Sequence, residues 1–486
     1  MIKIIVPPQI ITRVHYYSRN LSLVPLYGAA VVVSYLRKNG INASLVDIDK
    51  EVNLFSSFFI KKTMKTPWLI KEHLQGKYFW RKIDAVAERL IKNISFDGVN
   101  LVGISIFSIR NILPAMLIAK KIKEKIGIPI VLGGSVIADY EQYGGNLLVS
   151  YPFVDYLIVG PGEVPLLSLA RFFQGNGAIE KVPNLIYRID NNILRTFNKV
   201  FDIEDMPIPD FGGLNFKRYF SKCSSGSGLI LPYVIAKCCL YKCSFCRVNP
   251  MESKNQIKSL EKVVKELARM QEMYNSNHFY FCECLLNISY DHSMRFCKRL
   301  CEQKLNINWG SNMSVANLDR RLLEKIRESG CTSAIWGIET GSERMLRLMN
   351  KPFSVQQAEA VLKIAHKLGI ENKINILTGF AHESDEDLED TVNFIRKNAL
   401  YISCIYVFDF QLVFGTPIFL NPRQYGIKNI FPLAAKLGPG VFGYDEIGGL
   451  QWKEKVKQKK RHYKEVKREA DRLVFKRKLS NIILKK

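Results

Sequence analysis

Short apolar runs alternate with amphipathic stretches along most of this chain, and they do so in two separate series. In the first, IKIIV (2–6), ASLVDID (43–49), NLVGISIFS (100–108), PIVLGG (129–134) and VDYLIVGPGE (154–163) read as strands, with helical periodicity over Tyr27–Lys38 and Arg110–Lys125 between them. Strands this apolar must be covered on both faces, and alternation with helices supplies the cover. The pattern predicts an α/β fold whose first domain, residues 1–190, is a doubly wound parallel sheet. Ligands bind such sheets beyond the strand carboxyl ends. That rule marks Gly103 and Ser105, then Gly133, Gly134 and Ser135, then Gly160, Gly162 and Glu163 as candidate binding residues.

FDIEDMPIPDFGGL (201–214) is rich in proline and acid without helical periodicity, so residues 191–222 are expected to be a linker. The second series runs YVIAK (233–237), HFYFCE (278–283), INWGS (307–311), SAIWGIE (333–339), INILTGF (374–380) and YVFDFQLVF (406–414). Helices are expected between them, as at Ser259–Tyr274 and Val355–Leu368. This predicts a partial (β/α)6 barrel of the TIM type over residues 223–430, with chemistry at the strand carboxyl ends. A basic helical region, 431–486, completes the chain.

The 486 residues carry 70 Lys and Arg against 45 Asp and Glu, a formal charge of +25, and the excess is concentrated at the end. Lys453–Lys486 holds 15 basic and 4 acidic residues, a net +11, with Val456, Tyr463, Val466, Leu473 and Phe475 spaced as an amphipathic helix. Such a tail is a solvated helix or an accessory surface for an anionic membrane, an acidic peptide or RNA. Nucleic acid is not favoured. MIKIIVPPQII lacks a signal-peptide cleavage site and no apolar run approaches the roughly 20 residues of a membrane span, so a cytoplasmic location is expected.

Eleven cysteines are too few for a disulfide scaffold, and their clustering carries the information. AKCCLYKCSFC (236–246) sets Cys239, Cys243 and Cys246 in a CxxxCxxC spacing, compact enough for three thiolates to face one metal centre. Composition alone would produce this spacing in about one such sequence in 200. Zinc requires a fourth protein ligand, and no nearby histidine or CxxC pair supplies it. Three thiolates instead leave one iron of a 4Fe-4S cluster open. Cys238, Cys282, Cys284, Cys297 and Cys301 read as packed thiols, with a second cluster or a reaction with substrate as the alternative.

CxxxCxxC after a first barrel strand, with Phe245 before the last cysteine, resembles the signature of the radical S-adenosylmethionine (SAM) superfamily. The resemblance continues in FYFCECLLN, with Glu283 at its acidic position, and in GCTSAIWGIETGSERMLRLMNK (330–351), with Glu339 facing the cofactor. LTGFAHESDEDLEDT adds Glu383, with Ala381 where proline is usual, and FGTP (414–417) resembles a turn near the barrel's end. It implies a 4Fe-4S cluster on the three cysteines, SAM chelated at the open iron, reductive cleavage to a 5′-deoxyadenosyl radical, and an electron donor such as flavodoxin or ferredoxin.

The first domain resembles the Rossmann or flavodoxin-like cobalamin-binding domain that precedes many radical SAM domains. The matching segments are SLVPLYGAAVVVSYLRKNG, VGISIFS, IVLGGS and DYLIVGPGE. The DxHxxG sequence that supplies an axial histidine elsewhere is missing, and GPGE stands where GEGE is usual. The implied function is cobalamin-dependent methylation of an unactivated carbon in a small-molecule, lipid or peptide substrate. One alternative is a non-methylating radical SAM enzyme for cyclisation, oxidation or carbon–carbon coupling, whose first domain binds no cobalamin. Another is a noncatalytic partner that binds cobalamin or a peptide.

Overall fold

The computed structural model describes residues 1–8, 24–48, 72–77, 80–108, 111–137, 147–190, 192–223, 226–237, 239–248, 256–283, 285–433 and 440–483. Cys238, Cys284 and most of the irregular stretch 55–81 lie outside the described residues. The chain divides into two compact units, Met1–Phe220 and Ser221–Lys486.

The first unit is built from β1 (Ile2–Val6), α1 (Tyr27–Lys38), β2 (Ala43–Asp47), α2 (Arg81–Ile91), β3 (Leu101–Ser105), α3 (Ile112–Ile126), β4 (Ile130–Gly133), α4 (Leu147–Ser150), β5 (Tyr156–Ile158), α5 (Glu163–Phe173), β6 (Leu185–Ile189) and β7 (Asn192–Arg195). Its sheet has the order β2-β1-β3-β4-β5-β6-β7. β1 to β5 pair in parallel, as their unbroken apolar runs require. α1 packs with α5, and α2 with α3, which covers the two faces in the doubly wound manner. The sheet is not wholly parallel: β6 and β7 add an antiparallel hairpin at the β5 edge.

The segment expected as a linker belongs to this unit. Ile203, Met206, Phe211 and Tyr219 are buried, the Asp210 N–H donates to the Ala30 carbonyl at 3.1 Å, and Tyr219 donates its hydroxyl to Asp47. Its prolines and acids set turns, while these scattered apolar anchors hold it against the α1 side of the sheet.

The second unit contains β8 (Phe220–Cys223), β9 (Gly226–Tyr233), β10 (Ala236–Lys237), β11 (Gln256–Ile257), α6 (Leu260–Tyr274), β12 (His278–Phe281), α7 (Tyr290–Glu302), β13 (Asn308–Met313), α8 (Arg320–Glu328), β14 (Cys331–Glu339), α9 (Glu343–Leu348), α10 (Val355–Lys367), β15 (Glu371–Thr378), α11 (Asp385–Lys397), β16 (Ile402–Asp409), β17 (Leu412–Val413), α12 (Pro417–Leu420), β18 (Ile427–Pro432), β19 (Val441–Glu446) and α13 (Trp452–Ile483). β9, β12, β13, β14, β15 and β16 pair in parallel in sequence order, with β8 beside β9. This is the six-stranded partial barrel expected, although its first strand ends at Tyr233, where YVIAK was expected to begin.

Capping explains where the barrel helices start. Ser259, Ser289, Asp319, Ser342, Ser354 and Ser384 each accept a hydrogen bond from a backbone N–H in the first turn of the following helix. Each cap contributes about 1 kcal/mol. Between helices and strands the core is aromatic: Phe281, Phe296 and Trp309 stack together. The indoles of Trp309 and Trp336 donate to the Ser329 carbonyl and to Asn372 at 2.9 and 2.8 Å.

The end of the chain departs from expectation in two ways. Residues 427–432 and 441–446 are strands of a small antiparallel sheet, order β17-β19-β18, so helix occupies only the later part of 431–486. α13 packs on β15, β16, β19 and α11, and its buried stripe is Lys455, Lys459, His462, Val466, Ala470 and Leu473. The cations face inward because acceptors await them. Lys455 donates to the Phe380 carbonyl (2.7 Å) and pairs with Glu446 (2.9 Å). Lys459 donates to the Phe410 carbonyl and pairs with Asp409 (3.5 Å).

Candidate active site

Cys239, Cys243 and Cys246 lie in the loop beyond β9, half-buried and outside any disulfide. The loop is clamped through Ser244, which is fully buried. The Ser244 N–H donates to the Met349 carbonyl (2.9 Å) and its hydroxyl to the Leu348 carbonyl (3.2 Å). Both acceptors are at the end of α9, where helix carbonyls lack intrahelical partners. From the other side the Ile418 N–H, in the first turn of α12, donates to the Ser244 carbonyl (2.9 Å), and Asn350 donates to the Lys242 carbonyl (2.7 Å). Phe245 meets Phe380 edge to face, with centroids 6.5 Å apart. The FGTP turn therefore helps hold the cysteine loop in place: Thr416 caps α12.

Lys351 is a site residue that the sequence reading missed. Its ammonium lies 3.4 Å from Glu339 Oε1 and within 5.7 Å of the Phe245 ring centroid. Burial pushes the Cys243 and Cys246 thiols up, and the Lys351 charge opposes this at both. Burial likewise pulls Lys351 down, but Glu339 and the two thiols outweigh it and hold the ammonium above its ordinary range. Its only sequence signal was a lysine closing the stretch around Glu339.

Glu339 ends β14 at φ 70, a left-handed conformation that costs a non-glycine residue about 1 kcal/mol. Gly337 makes room for its carboxylate: a Cβ there would stand 2.9 Å from Glu339 Oε1. Glu283 follows β12. Its Oε1 accepts from the Ile235 N–H, which anchors it to the segment leading into the cysteine loop. Its Oε2 is buried without a hydrogen-bond partner among the described residues, and burial pushes the carboxyl up to about 7. Asn375, opposite Gly337 in the sheet, has a buried Oδ1 that is also unpartnered. Two unmet acceptors on the barrel strands suit a ligand that brings N–H and O–H donors.

Glu383 belongs to a different network. Its Oε2 accepts from the Gly379 N–H at 2.7 Å and lies 2.7 Å from His462 Nδ1 of α13. His462 Nε2 lies 2.9 Å from Asp385. Burial pulls His462 down, but its bond to Glu383 prevails and raises it. Expected beside a cofactor, Glu383 instead locks the C-terminal helix to the barrel. Among the described residues no three His, Cys, Asp or Glu side chains form a group able to hold a metal ion. A cubane cluster takes each thiolate on a different iron, a looser arrangement than one ion demands.

In the first unit the turns after β3 and β4 are knitted together. The Ile106 N–H donates to the Gly133 carbonyl (2.7 Å) and Ser135 Oγ to the Phe107 carbonyl (3.2 Å). Gly134 has φ +108 and a Cβ on it would lie 2.4 Å from the Ile106 carbonyl, so only glycine allows this approach. Ser105 and Gly133 end their strands side by side. Gly160 and Gly162 lead into α5, where Glu163 is buried in the first turn. Gly103 is different. A Cβ there would strike Ile4 at 2.7 Å and approach Val131 and Leu166, so this glycine serves sheet and helix packing.

Residues 233–395 match the family model described as the radical SAM superfamily. An uncharacterized methyltransferase of Pyrococcus horikoshii is 22% identical over 58% of this chain and 60% of its own length. The anaerobic magnesium-protoporphyrin IX monomethyl ester cyclase of Rubrivivax gelatinosus is 24% identical over 52% of this chain and 46% of its own. The chain thus spans about half to three fifths of these relatives. The radical SAM methyltransferase TsrM of Kitasatospora setae, solved with cobalamin and a [4Fe-4S] cluster bound, shares the fold at a TM-score of 0.62 and 14% identity, over 90% of this chain and 80% of that one. No helix among the described residues is long and apolar enough to cross a membrane.

Proposed function

We propose that this chain, whose residues 233–395 match the radical SAM superfamily model, methylates an unactivated carbon with the help of a corrinoid. The observation that carries the proposal is the order of its parts. A β2-β1-β3-β4-β5 sheet with glycine turns at its strand ends precedes a six-stranded barrel whose first loop bears CxxxCxxC. The fold likeness to a cobalamin- and cluster-bearing methyltransferase extends over 90% of the chain.

When bound, a 4Fe-4S cluster supplies the electron that cleaves the SAM sulfonium, and a corrinoid supplies a methyl-carrying cobalt. In this proposal Cys239, Cys243 and Cys246 hold three irons, and the Lys351 ammonium beside them offsets thiolate charge. Glu283 Oε2 and Asn375 Oδ1 accept hydrogen bonds from the ammonium and hydroxyls of SAM, with Glu339 alongside. Ser105, Gly133, Gly134, Ser135, Gly160, Gly162 and Glu163 line the corrinoid cleft.

A radical SAM enzyme also needs an electron donor and a substrate. For the donor we propose a flavodoxin or ferredoxin, and for the substrate a small molecule, lipid or peptide. Lys457, Lys460, Arg461, Lys464 and Arg468 line one groove on the outer face of α13, a surface suited to an acidic donor or an anionic membrane. Free thiols fit a cytoplasmic location.

Methyl-labelled SAM tests the proposal. Label is expected in the product, with one deoxyadenosine and one S-adenosylhomocysteine per turnover. The cyclase relative favours a second reading, radical ring closure without methyl transfer. Deoxyadenosine with no S-adenosylhomocysteine and an unlabelled product would establish that reading instead.

A further inference from the structure

Asn111 sits at the start of α3, in the connection that leaves β3, and is fully buried. Its Nδ2 donates to the carbonyl of Pro7, 2.8 Å away, just beyond the end of β1. A carbonyl can only accept, so this bond fixes which way the amide points and leaves Oδ1 as an acceptor. That oxygen is buried and has no hydrogen-bond partner among the described residues. Native interiors rarely tolerate such a group without a reason.

The position supplies one. β1 and β3 are neighbours in the sheet, but β1 leads through α1 to β2 on one side while β3 leads through α3 to β4 on the other. Connections that diverge in this way open a crevice between the two strand ends, the usual ligand site of an open α/β sheet. Asn111 bridges the two strand ends at that crevice. At the end of β4, the glycine at 134 lets the turn close on the Ile106 backbone.

We infer that Asn111 Oδ1 is a recognition group for the corrinoid, accepting a hydrogen bond from a peripheral carboxamide N–H or from a hydroxyl of the nucleotide tail. The inference rests on the cobalamin reading proposed above and adds a residue that binds the cofactor without touching cobalt. Its Nδ2 tethers the β1 end while its Oδ1 reads the ligand.

Equilibrium binding to the full-length, cluster-reconstituted chain tests it, followed by the absorbance of hydroxocobalamin and, in parallel, of dicyanocobinamide, which lacks the nucleotide tail. Asn111→Leu is expected to weaken hydroxocobalamin about tenfold while iron content and uncoupled SAM cleavage stay at wild-type level. A matching loss with dicyanocobinamide assigns the bond to a carboxamide, and a loss confined to hydroxocobalamin assigns it to the tail. Should Asn111→Leu fail to melt cooperatively, Asn111→Ser leaves room for water at the Pro7 carbonyl and is expected to give the same loss. Unchanged affinity in a folded variant overturns the role of Asn111. Wild-type protein that binds neither corrinoid overturns the cobalamin reading itself.

Discussion

Glu283 and Glu383 are both buried carboxylates just past barrel strands, 2% and 5% exposed, and both stand in sequence stretches that suggest cofactor contact. Their surroundings differ in one respect. Glu383 Oε2 is met by the Gly379 N–H and by His462, whereas Glu283 Oε2 is met by nothing among the described residues. Burial and motif do not separate a structural acid from a ligand-binding one, but unmet hydrogen-bonding capacity does. On this view the site around Glu283, Lys351 and the cysteine loop is built for a guest, and the Glu383 carboxylate is satisfied by the Gly379 N–H and by α13 without one.

The largest effect is expected where α13 is removed. Removing residues 453–486 takes away Lys455 and His462 and leaves the buried carboxylates of Glu446 and Glu383 without their cationic partners, so the truncated chain should not fold cooperatively. A truncated protein with a normal calorimetric transition would show that α13 is an accessory. On the other side of the contrast, Cys239→Ala, Cys243→Ala or Cys246→Ala should keep the fold but lose the cluster and all SAM cleavage. Iron at wild-type level with normal deoxyadenosine formation in any of the three would refute their assignment.

Glu283→Gln should retain the iron but slow SAM cleavage about a hundredfold, since misplacing a reacting group costs on that scale. The pH dependence sharpens this. With its carboxyl held up to about 7, wild-type affinity for SAM should rise between pH 6 and 8 as the carboxylate forms, and the Gln variant should be flat. The same shift makes the ionised acid a burden on the ligand-free fold. A carboxyl whose folded value is raised contributes most below its unfolded value near 4.3 and loses that contribution as pH rises through 7. Glu283→Gln should therefore melt higher than wild type at pH 8 and not at pH 4. Equal melting at both would mean that its charge is compensated.

The smallest catalytic effect is expected at Glu383. Glu383→Gln should cleave SAM within about threefold of wild type yet be less stable by about 2 kcal/mol at pH 6. His462 is raised by Glu383, so their pairing stabilises the fold fully below pH 6.5 and loses that contribution as pH climbs through the raised value. The variant's deficit should shrink toward pH 9 in thermal melts. A large loss of SAM cleavage with unchanged stability would return Glu383 to the cofactor.

Much of this architecture was legible in the alternation of strands and helices, because a both-faces-buried sheet leaves an unbroken apolar run and the cysteine spacing is local. What escaped reading is non-local. Ile203, Met206, Phe211 and Tyr219 anchor the expected linker without any period. The phase of α13 inverted the rule that cations face water, because its lysines answer carbonyls and carboxylates of β16, β19 and the turn after β15. Lys351 closes the 330–351 stretch without standing out in it and Asn111 lies outside any recognisable motif, and they declare themselves only through a partner 3.4 Å away and an acceptor left without one. Gly103 and Glu383 show the reverse: their sequence context suggests cofactor contact, while in the fold Gly103 packs against Ile4 and Glu383 bonds to Gly379 and His462.

The central claim is that one chain carries a guest in each unit. It is tested most directly by the absorption spectrum, iron content and extracted cofactors of full-length protein purified anaerobically from cells supplied with cobalamin. About four irons and one cobalamin per chain are expected, with a cobalt spectrum free of histidine coordination. A chain that holds the iron but no corrinoid under these conditions, and still converts its substrate, would contradict the account.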